Sequence, residues 1–210
     1  MNMATAPLTV IALNCSLKAS DKPSSTDVLL GQVLSELAGH GVSAAGEVVR
    51  VAGLNIKPGV TSDEGEGDDW PALRRRILDA DILLLGTPIW LGQPSSVCKR
   101  VLERMDAFLG ETDDQGRMVS FGKVAAVCVV GNEDGAHHVC AELFQALNDV
   151  GFTLAATAGT YWVGEAMQST DYRELKETPK PVATTNAMLA RNAAHLAGLL
   201  KGARYPGAPG

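Results

Sequence analysis

A chain of 210 residues with 46% hydrophobic and 20% charged residues can bury one full core, which excludes a disordered polymer and fits a single domain over residues 1–210. The net charge of −6, with no basic cluster interleaved with aromatics, argues against a nucleic-acid partner. No apolar run approaches the ~18 residues of a membrane span, and residues 1–7 lack a charged region ahead of an apolar stretch, so a cytoplasmic protein is expected.

Residues 8–13 read as a buried strand that opens into a hydroxyl-rich loop: Cys15, Ser16, Leu17 and Lys18, then Ser24, Ser25, Thr26 and Asp27. The stripe Leu30, Val33, Leu34 and Leu37 predicts the helix that follows, beginning near Thr26 or Asp27. The hydroxyls of Ser16, Ser25 and Thr26, the Lys18 ammonium, backbone N–H groups and the helix N-terminus then converge on one anion. This is how a protein holds a phosphate monoester without a metal. The same serines also suit a plain N-cap cluster, and the two readings are compatible. The loop contains neither GxGxxG nor GxxxxGK[ST], so it matches no dinucleotide or nucleoside-triphosphate fingerprint.

A weaker second strand is expected over residues 45–51, with Val48, Val49 and Val51. Residues 57–69 are glycine-rich and acidic (Asp63, Glu64, Glu66, Asp68, Asp69) and read as a solvated loop, since their spacing is not that of an EF-hand. Leu73, Ile77 and Leu78 predict a short helix, and residues 82–85 the third and most apolar strand. Thr87, Pro88, Ile89, Trp90, Leu91, Gly92, Gln93 and Pro94 then read as a rigid loop. Its indole offers a flat face to a planar heterocycle; a turn with a core tryptophan is the alternative.

The stripe Val97, Val101, Leu102, Met105 and Leu109 predicts the next helix, and residues 124–130 the fourth strand. After it come Gly131, Asn132, Glu133, Asp134, Gly135, Ala136, His137 and His138, a loop that either caps and packs or turns one imidazole toward a ligand. A zinc pair is disfavoured because adjacent helical positions point apart. A helix on Val139, Leu143, Leu147 and Val150 leads to a fifth strand over residues 152–158. Residues 162–181 form a long polar connection of the kind found at functional or subunit contacts. The last helix carries Leu189, Leu196, Leu199 and Leu200, and residues 203–210 read as a frayed tail. Its alanines, Ala190, Ala193, Ala194 and Ala197, suit either a subunit interface or packing within the chain.

Strand and helix alternate five times, which predicts an α/β doubly wound fold with a parallel sheet. Right-handed crossovers bring the loops at residues 14–26, 87–93 and 131–138 to the edge where strands end, the ligand edge of such sheets. Cys15, Cys98, Cys128 and Cys140 form no CxxC pair, so reduced, buried thiols and no metal site are expected. Cys15 is the one thiol that the helix N-terminus could activate, though no histidine lies near it in sequence.

Three motifs together carry a likeness to a known family. Ser16, Lys18, Ser24, Ser25 and Thr26 come first, then Thr87, Pro88, Ile89, Trp90, Leu91 and Gly92 with Lys99 and Asp106 after them, then Gly131 through His138. This order resembles the flavodoxin-like NAD(P)H-dependent FMN reductase family over residues 8–167, and the later run Gly159, Thr160, Tyr161, Trp162, Val163, Gly164, Glu165, Ala166, Met167 resembles one branch of it. Many members have glycine and arginine where this chain has Cys15 and Lys18. Lysine keeps the charge and loses the bidentate fork, which implies modest FMN affinity.

The resemblance implies a flavodoxin-like three-layer sandwich with a five-stranded parallel sheet in the order 2-1-3-4-5, FMN lying at the switch point. It implies phosphate bound by Ser16, Lys18, Ser25 and Thr26, the flavin ring against Pro88, Ile89, Trp90, Leu91 and Gly92, and Asn132, Glu133, Asp134 and Gly135 at the ring's other edge. The implied activity is hydride transfer from NADPH or NADH through FMN to an acceptor such as a quinone or free flavin. His137 is the candidate if a side chain assists. The competing readings are a flavodoxin-type electron carrier, whose acidic loop would dock basic partners, and a protein that has lost its flavin. The family likeness also implies a homodimer or homotetramer.

Overall fold

Both faces of the apolar runs are apolar, and a strand with two apolar faces must be covered twice. In the computed structural model, which describes residues 7–18, 21–165 and 168–207, that is what happens. Residues 1–6, read above for targeting signals, Ala166 and Met167 of the last motif, and residues 208–210 of the tail lie outside the described residues. The strands are β1 (Leu8–Asn14), β2 (Val42–Ala44), β3 (Val49–Arg50), β4 (Ile82–Trp90), β5 (Gln93–Pro94), β6 (Val124–Val130) and β7 (Thr153–Trp162). The helices are α1 (Ser25–Gly39), α2 (Trp70–Asp79), α3 (Ser96–Met105), α4 (Ala136–Asp149) and α5 (Lys180–Gly202).

Strand order is β2-β1-β4-β6-β7, all parallel, so the expected doubly wound, flavodoxin-like order is present. The sheet nevertheless has seven strands where five were expected. The expected strand at 45–51 starts earlier and breaks: β2 pairs with Leu8, Thr9 and Val10, the chain leaves the sheet at Gly46 (φ 101°), and β3 rejoins β1 beside Leu13 and Asn14. The second extra strand comes from the expected loop at 87–94. Thr87 and Pro88 still pair with Val129 and Val130, so β4 runs on to Trp90, turns at Leu91 and Gly92, and returns as antiparallel β5.

Alternating residues divide the core into two layers. Ile11, Leu13, Leu83, Leu85, Val127 and Val129 face α2, α3 and α4, with Trp70, Phe108 and Phe152 filling that side. Val10, Ala12, Ile82, Leu84, Ala126 and Cys128 face α1 and α5. The alanines of α5 belong to this second layer: Ala190, Ala193, Ala194 and Ala197 are buried within the chain, while Leu199 is exposed. Of the two readings of that helix, intramolecular packing therefore accounts for its small residues. Among the described residues no helix is long and apolar enough to cross a membrane.

Three expectations change. The stripe ending at Leu109 does not form one helix; α3 stops at Met105 and residues Asp106–Gly110 continue as a 3-10 turn. The acidic segment is not simply solvated. Asp68 is a fully buried side chain that accepts from Arg104 Nη2 at 2.7 Å and from the backbone N–H groups of Glu64, Trp70 and Lys57. Arg104, also fully buried, donates to the carbonyls of Thr61 and Lys57 and lies over the Trp70 ring. Burial raises the Asp68 pKa, but these donors outweigh it and hold the carboxyl well below the usual range. The described part of the tail is not frayed: Tyr205 packs on Phe121, with ring centres 5.4 Å apart, and its hydroxyl meets Thr153 Oγ1 at 2.9 Å.

Candidate functional site

The site grows from the last residue of β1. Asn14 is fully buried, and its Oδ1 accepts from the Ser16 N–H at 2.8 Å. Its Nδ2 donates to Ser24 Oγ at 3.3 Å and to the Asp27 carboxylate. One amide therefore sets both ends of the loop that joins β1 to α1. Ser24 occupies the N-cap position of α1, yet its side chain makes no capping bond, so the simple cap reading is not realised. Ser16 Oγ is buried and has no hydrogen-bond partner among the described residues. A buried hydroxyl left unsatisfied costs about 1–3 kcal/mol, so its persistence marks a place for a ligand.

Thr26 is buried beside this hydroxyl. It sits so close to β4 that a Cβ on Gly86 would lie 2.8 Å from Thr26 Cγ2, which is why that strand carries glycine there. Ser25 Oγ accepts from the Arg173 N–H at 3.3 Å, tying α1 to the connection after β7. Lys18 stands exposed at the lip.

These residues form one end of an open groove with a volume of about 130 Å³. Pro88, Ile89 and Trp90 of β4 line one side, and Val130, Gly131 and Asn132 the floor at the end of β6. Trp162, Asp171 and Tyr172 line the other side, where the two rings pack at 5.3 Å. Trp90 is 53% exposed, so it is not the core tryptophan of the alternative reading. A larger cavity of about 340 Å³ lies alongside, lined by Leu17, Val51, Leu54, Ile56, Val97 and Arg100. It lacks the converging hydroxyls, and the smaller groove carries the chemistry.

Several expected site residues fall outside the groove lining. Thr87 is buried inside the β4 pairing, where its hydroxyl donates to Pro88 O and accepts from the Ser95 N–H. Leu91 and Gly92 form the hairpin tip, and Leu91 is 92% exposed. Glu133 turns away to accept from the Leu91 N–H at 2.9 Å. Asp134, Gly135 and His137 line a separate shallow cavity on the α4 side. Gly135 (φ 109°) touches the hairpin, since a Cβ there would lie 2.9 Å from Gly92 Cα. His137 Nε2 is 2.9 Å from the Tyr161 hydroxyl, while His138 points toward Gln93. The loop between β6 and α4 thus braces the hairpin with one half and floors the groove with Gly131 and Asn132 alone.

Sequence reasoning did not single out Asn14, Arg50, Asp171 or Tyr172, nor Trp162 as a lining residue. The only advance signal for Asp171 and Tyr172 was the length of the connection that holds them. Cys15 is buried beneath the loop, and burial followed by its contact with Cys98 pushes its thiol pKa up, opposite to what a reactive thiolate needs. Burial likewise raises Cys140 to about 11.

Comparison with known proteins fits this architecture. The divalent metal cation transporter MntH of Mycobacterium bovis is 37% identical over 169 residues, 79% of this chain, but the chain spans only 24% of that protein's length. The 8-demethyl-8-aminoriboflavin-5'-phosphate synthase of Streptomyces davaonensis is 31% identical over 94% of this chain and 80% of its own. The crystal structure of RosB with bound 8-demethyl-8-formylriboflavin-5'-phosphate superposes with a TM-score of 0.86 at 29% identity, covering 94% of this chain and 82% of that one. Residues 8–168, which include every strand and the groove's lining residues except Asp171 and Tyr172, match the family described as NADPH-dependent FMN reductase, and this chain belongs to it.

Proposed function

We propose that the groove binds FMN and that the chain is an FMN-dependent oxidoreductase, taking hydride from NADPH or NADH and delivering it to a small acceptor such as a quinone or free flavin. The single observation that carries this reading is the buried, unpartnered Ser16 hydroxyl at the N-terminus of α1. Around it the donor set fits a phosphate monoester: hydroxyls of Ser24, Ser25 and Thr26, the Lys18 ammonium and the helix dipole. The rest of the groove fits a planar ring, with the apolar Pro88 and Ile89 and the half-free indole of Trp90. Bound FMN supplies the hydride-accepting chemistry.

The chain's own residues bind and orient. Trp162 and Tyr172 keep water from the inner side, and Gly131 and Asn132 leave room at the floor for a close approach. His137 is held to Tyr161 outside the groove, so no side chain is assigned as a proton donor. The exposed Leu17, Trp90 and Leu91 at the rim support a homodimer or homotetramer, which sedimentation would check. The electron-carrier alternative loses part of its support, because Asp68 of the acidic segment is buried against Arg104. The test is titration of purified protein with FMN, read by absorbance and flavin fluorescence, then NADH and NADPH oxidation with a panel of quinones. Protein that takes up no FMN sinks the proposal.

A second reading has its own support. The likeness to an aminoriboflavin-phosphate synthase, over nearly the whole chain, favours a flavin phosphate as substrate instead of resident cofactor. Mass analysis of the flavin after aerobic incubation with an amino-group donor separates the two: a cofactor comes back unchanged, a substrate does not.

A further inference from the structure

An anion has to share the N-terminus of α1 with a carboxylate that is already there. Asp27 sits in the first turn of the helix, where a negative charge is stabilised by the same dipole that would hold a phosphate. It is one side chain away from the loop serines, since Asn14 Nδ2 donates both to Asp27 and to Ser24 Oγ. Left alone, that charge repels a phosphate at the loop. It is not left alone: Arg50, the last residue of β3, donates through Nε to Asp27 Oδ1 at 2.9 Å and through Nη2 to Oδ2. The guanidinium also donates to the Lys22 carbonyl at 3.0 Å, tying the far part of the loop to the same strand. Neither Arg50 nor Asp27 lines the groove, and their side chains are 14% and 30% exposed.

We infer that Arg50 is a positioning residue for the phosphate end of the groove: it neutralises Asp27 and leaves the helix N-terminus and the Asn14-ordered serines free for a phosphate dianion. The broken second strand acquires a purpose on this view. Breaking between β2 and β3 lets the chain re-pair beside Asn14, which sets Arg50 behind the loop. The inference rests on the reading of the groove as a flavin-phosphate site, and its test compares FMN with riboflavin, the same ring without the phosphate.

Both flavins are titrated by fluorescence quenching into the parent protein, R50Q, D27N and R50Q/D27N at low ionic strength. R50Q is expected to lose about tenfold in FMN affinity and less than about twofold in riboflavin affinity, the signature of an uncompensated charge near the phosphate. D27N is expected to bind FMN at least as tightly as the parent, because the substituted amide still accepts from Asn14 and the repulsion is gone. In R50Q/D27N the FMN affinity should return to within about threefold of the parent. Should R50Q fail to fold, R50Q/D27N against the parent decides: FMN affinities within about threefold of each other support the inference. A tenfold loss in the double variant relative to the parent overturns it, since Arg50 would then act on the phosphate directly. Equal losses for FMN and riboflavin in R50Q also overturn it. A parent protein that shows no preference for FMN over riboflavin refutes the site reading itself, a different result from any of these.

Discussion

The two walls of the groove are built on opposite principles. The wall on the α1 side is locked from behind by neutral hydrogen bonds: Tyr172 donates to Gln32 at 2.6 Å, Asn186 donates to the same oxygen, and Thr160 donates to Asn186 at 2.7 Å. Gln32 Nε2 adds a bond to Thr178 at 2.8 Å, so the connection of residues 168–179 is stitched to α1 and, through Gln32, to Asn186 of α5. The hairpin wall is braced by the loop between β6 and α4 instead of by a buried side-chain network. Trp90 and Leu91 stand in solvent, Leu91 in a left-handed conformation (φ 53°), and the tip is held by Glu133 and by the Gln93–His138 contact at the surface. On the proposed function, a fixed wall suits the end that would anchor a phosphate, and a looser apolar one suits the end where reductant and acceptor would exchange.

Removing Tyr172 is the hardest blow to the locked wall. Tyr172→Ala opens a cavity beside Trp162 and removes the shorter of two hydrogen bonds to the Gln32 carbonyl, and is expected to cost about 3–4 kcal/mol in urea unfolding, whereas Tyr172→Phe costs about 1 kcal/mol. If Tyr172→Ala unfolds no more easily than Trp90→Ala, the contrast between the walls is gone.

Next in size is Asp68, which sharpens the contrast through acid. The locked wall's buried bonds are neutral, but the segment of residues 57–69 hangs on a carboxylate paired with Arg104. Asp68→Asn leaves that guanidinium buried without its partner, at an expected cost of about 3 kcal/mol at pH 7. The Asp68 pKa is depressed in the folded state. Its contribution is therefore complete above the unfolded value near ~3.9 and is lost as pH falls toward the lower folded value. The gap between parent and D68N should shrink below pH ~4, while the gap for Tyr172→Phe stays constant. Urea midpoints measured at pH 7, 4 and 3 check both.

How far the sequence revealed these features follows from how local each signal is. The strands and the groove's phosphate end are local: apolar runs, a serine-rich turn and a helix stripe lie within a few residues of one another. Pro88, Ile89 and Trp90 do line the groove but on a different backbone from the one expected, because two prolines and a glycine look like a loop even where Thr87 and Pro88 extend a strand against β6. The acidic segment was misread because its partner, Arg104, lies 36 residues from Asp68 and looks like one more charge on a helix face. Arg50, Asp171 and Tyr172 were invisible for the same reason: each acquires meaning only from a contact made across the fold. The glycines and histidines of residues 131–138 were legible as a special loop, but not which half would meet the groove and which would prop the hairpin.

A smaller effect is expected at the loose wall, and of a different kind. Trp90→Ala removes a side chain that is half in water, so the folding cost should be about 1–2 kcal/mol, below that of Tyr172→Ala. Flavin affinity should fall about tenfold, the worth of one stacked indole, as read by fluorescence titration. A loss of stability as large as that of Tyr172→Ala would move Trp90 to the locked side of the comparison.

The smallest expected change is a gain. A two-residue hairpin turn with positive φ at both central positions favours Asn-Gly, yet this chain has Leu91 before Gly92. A leucine there costs about 1 kcal/mol relative to asparagine, and at 92% exposure it recovers nothing by burial within the chain. Leu91→Asn should therefore stabilise the fold by about 1 kcal/mol in urea. FMN affinity should not change, because Leu91 does not line the groove. A strained, exposed leucine beside Trp90 makes sense only if something outside the fold uses it. With apolar quinones the L91N variant should show a raised KM at unchanged kcat, while small polar acceptors are turned over as before. If L91N is more stable and reduces every acceptor as well as the parent does, the hairpin wall is loose for no functional reason, and the division of labour between the walls fails at its weaker side.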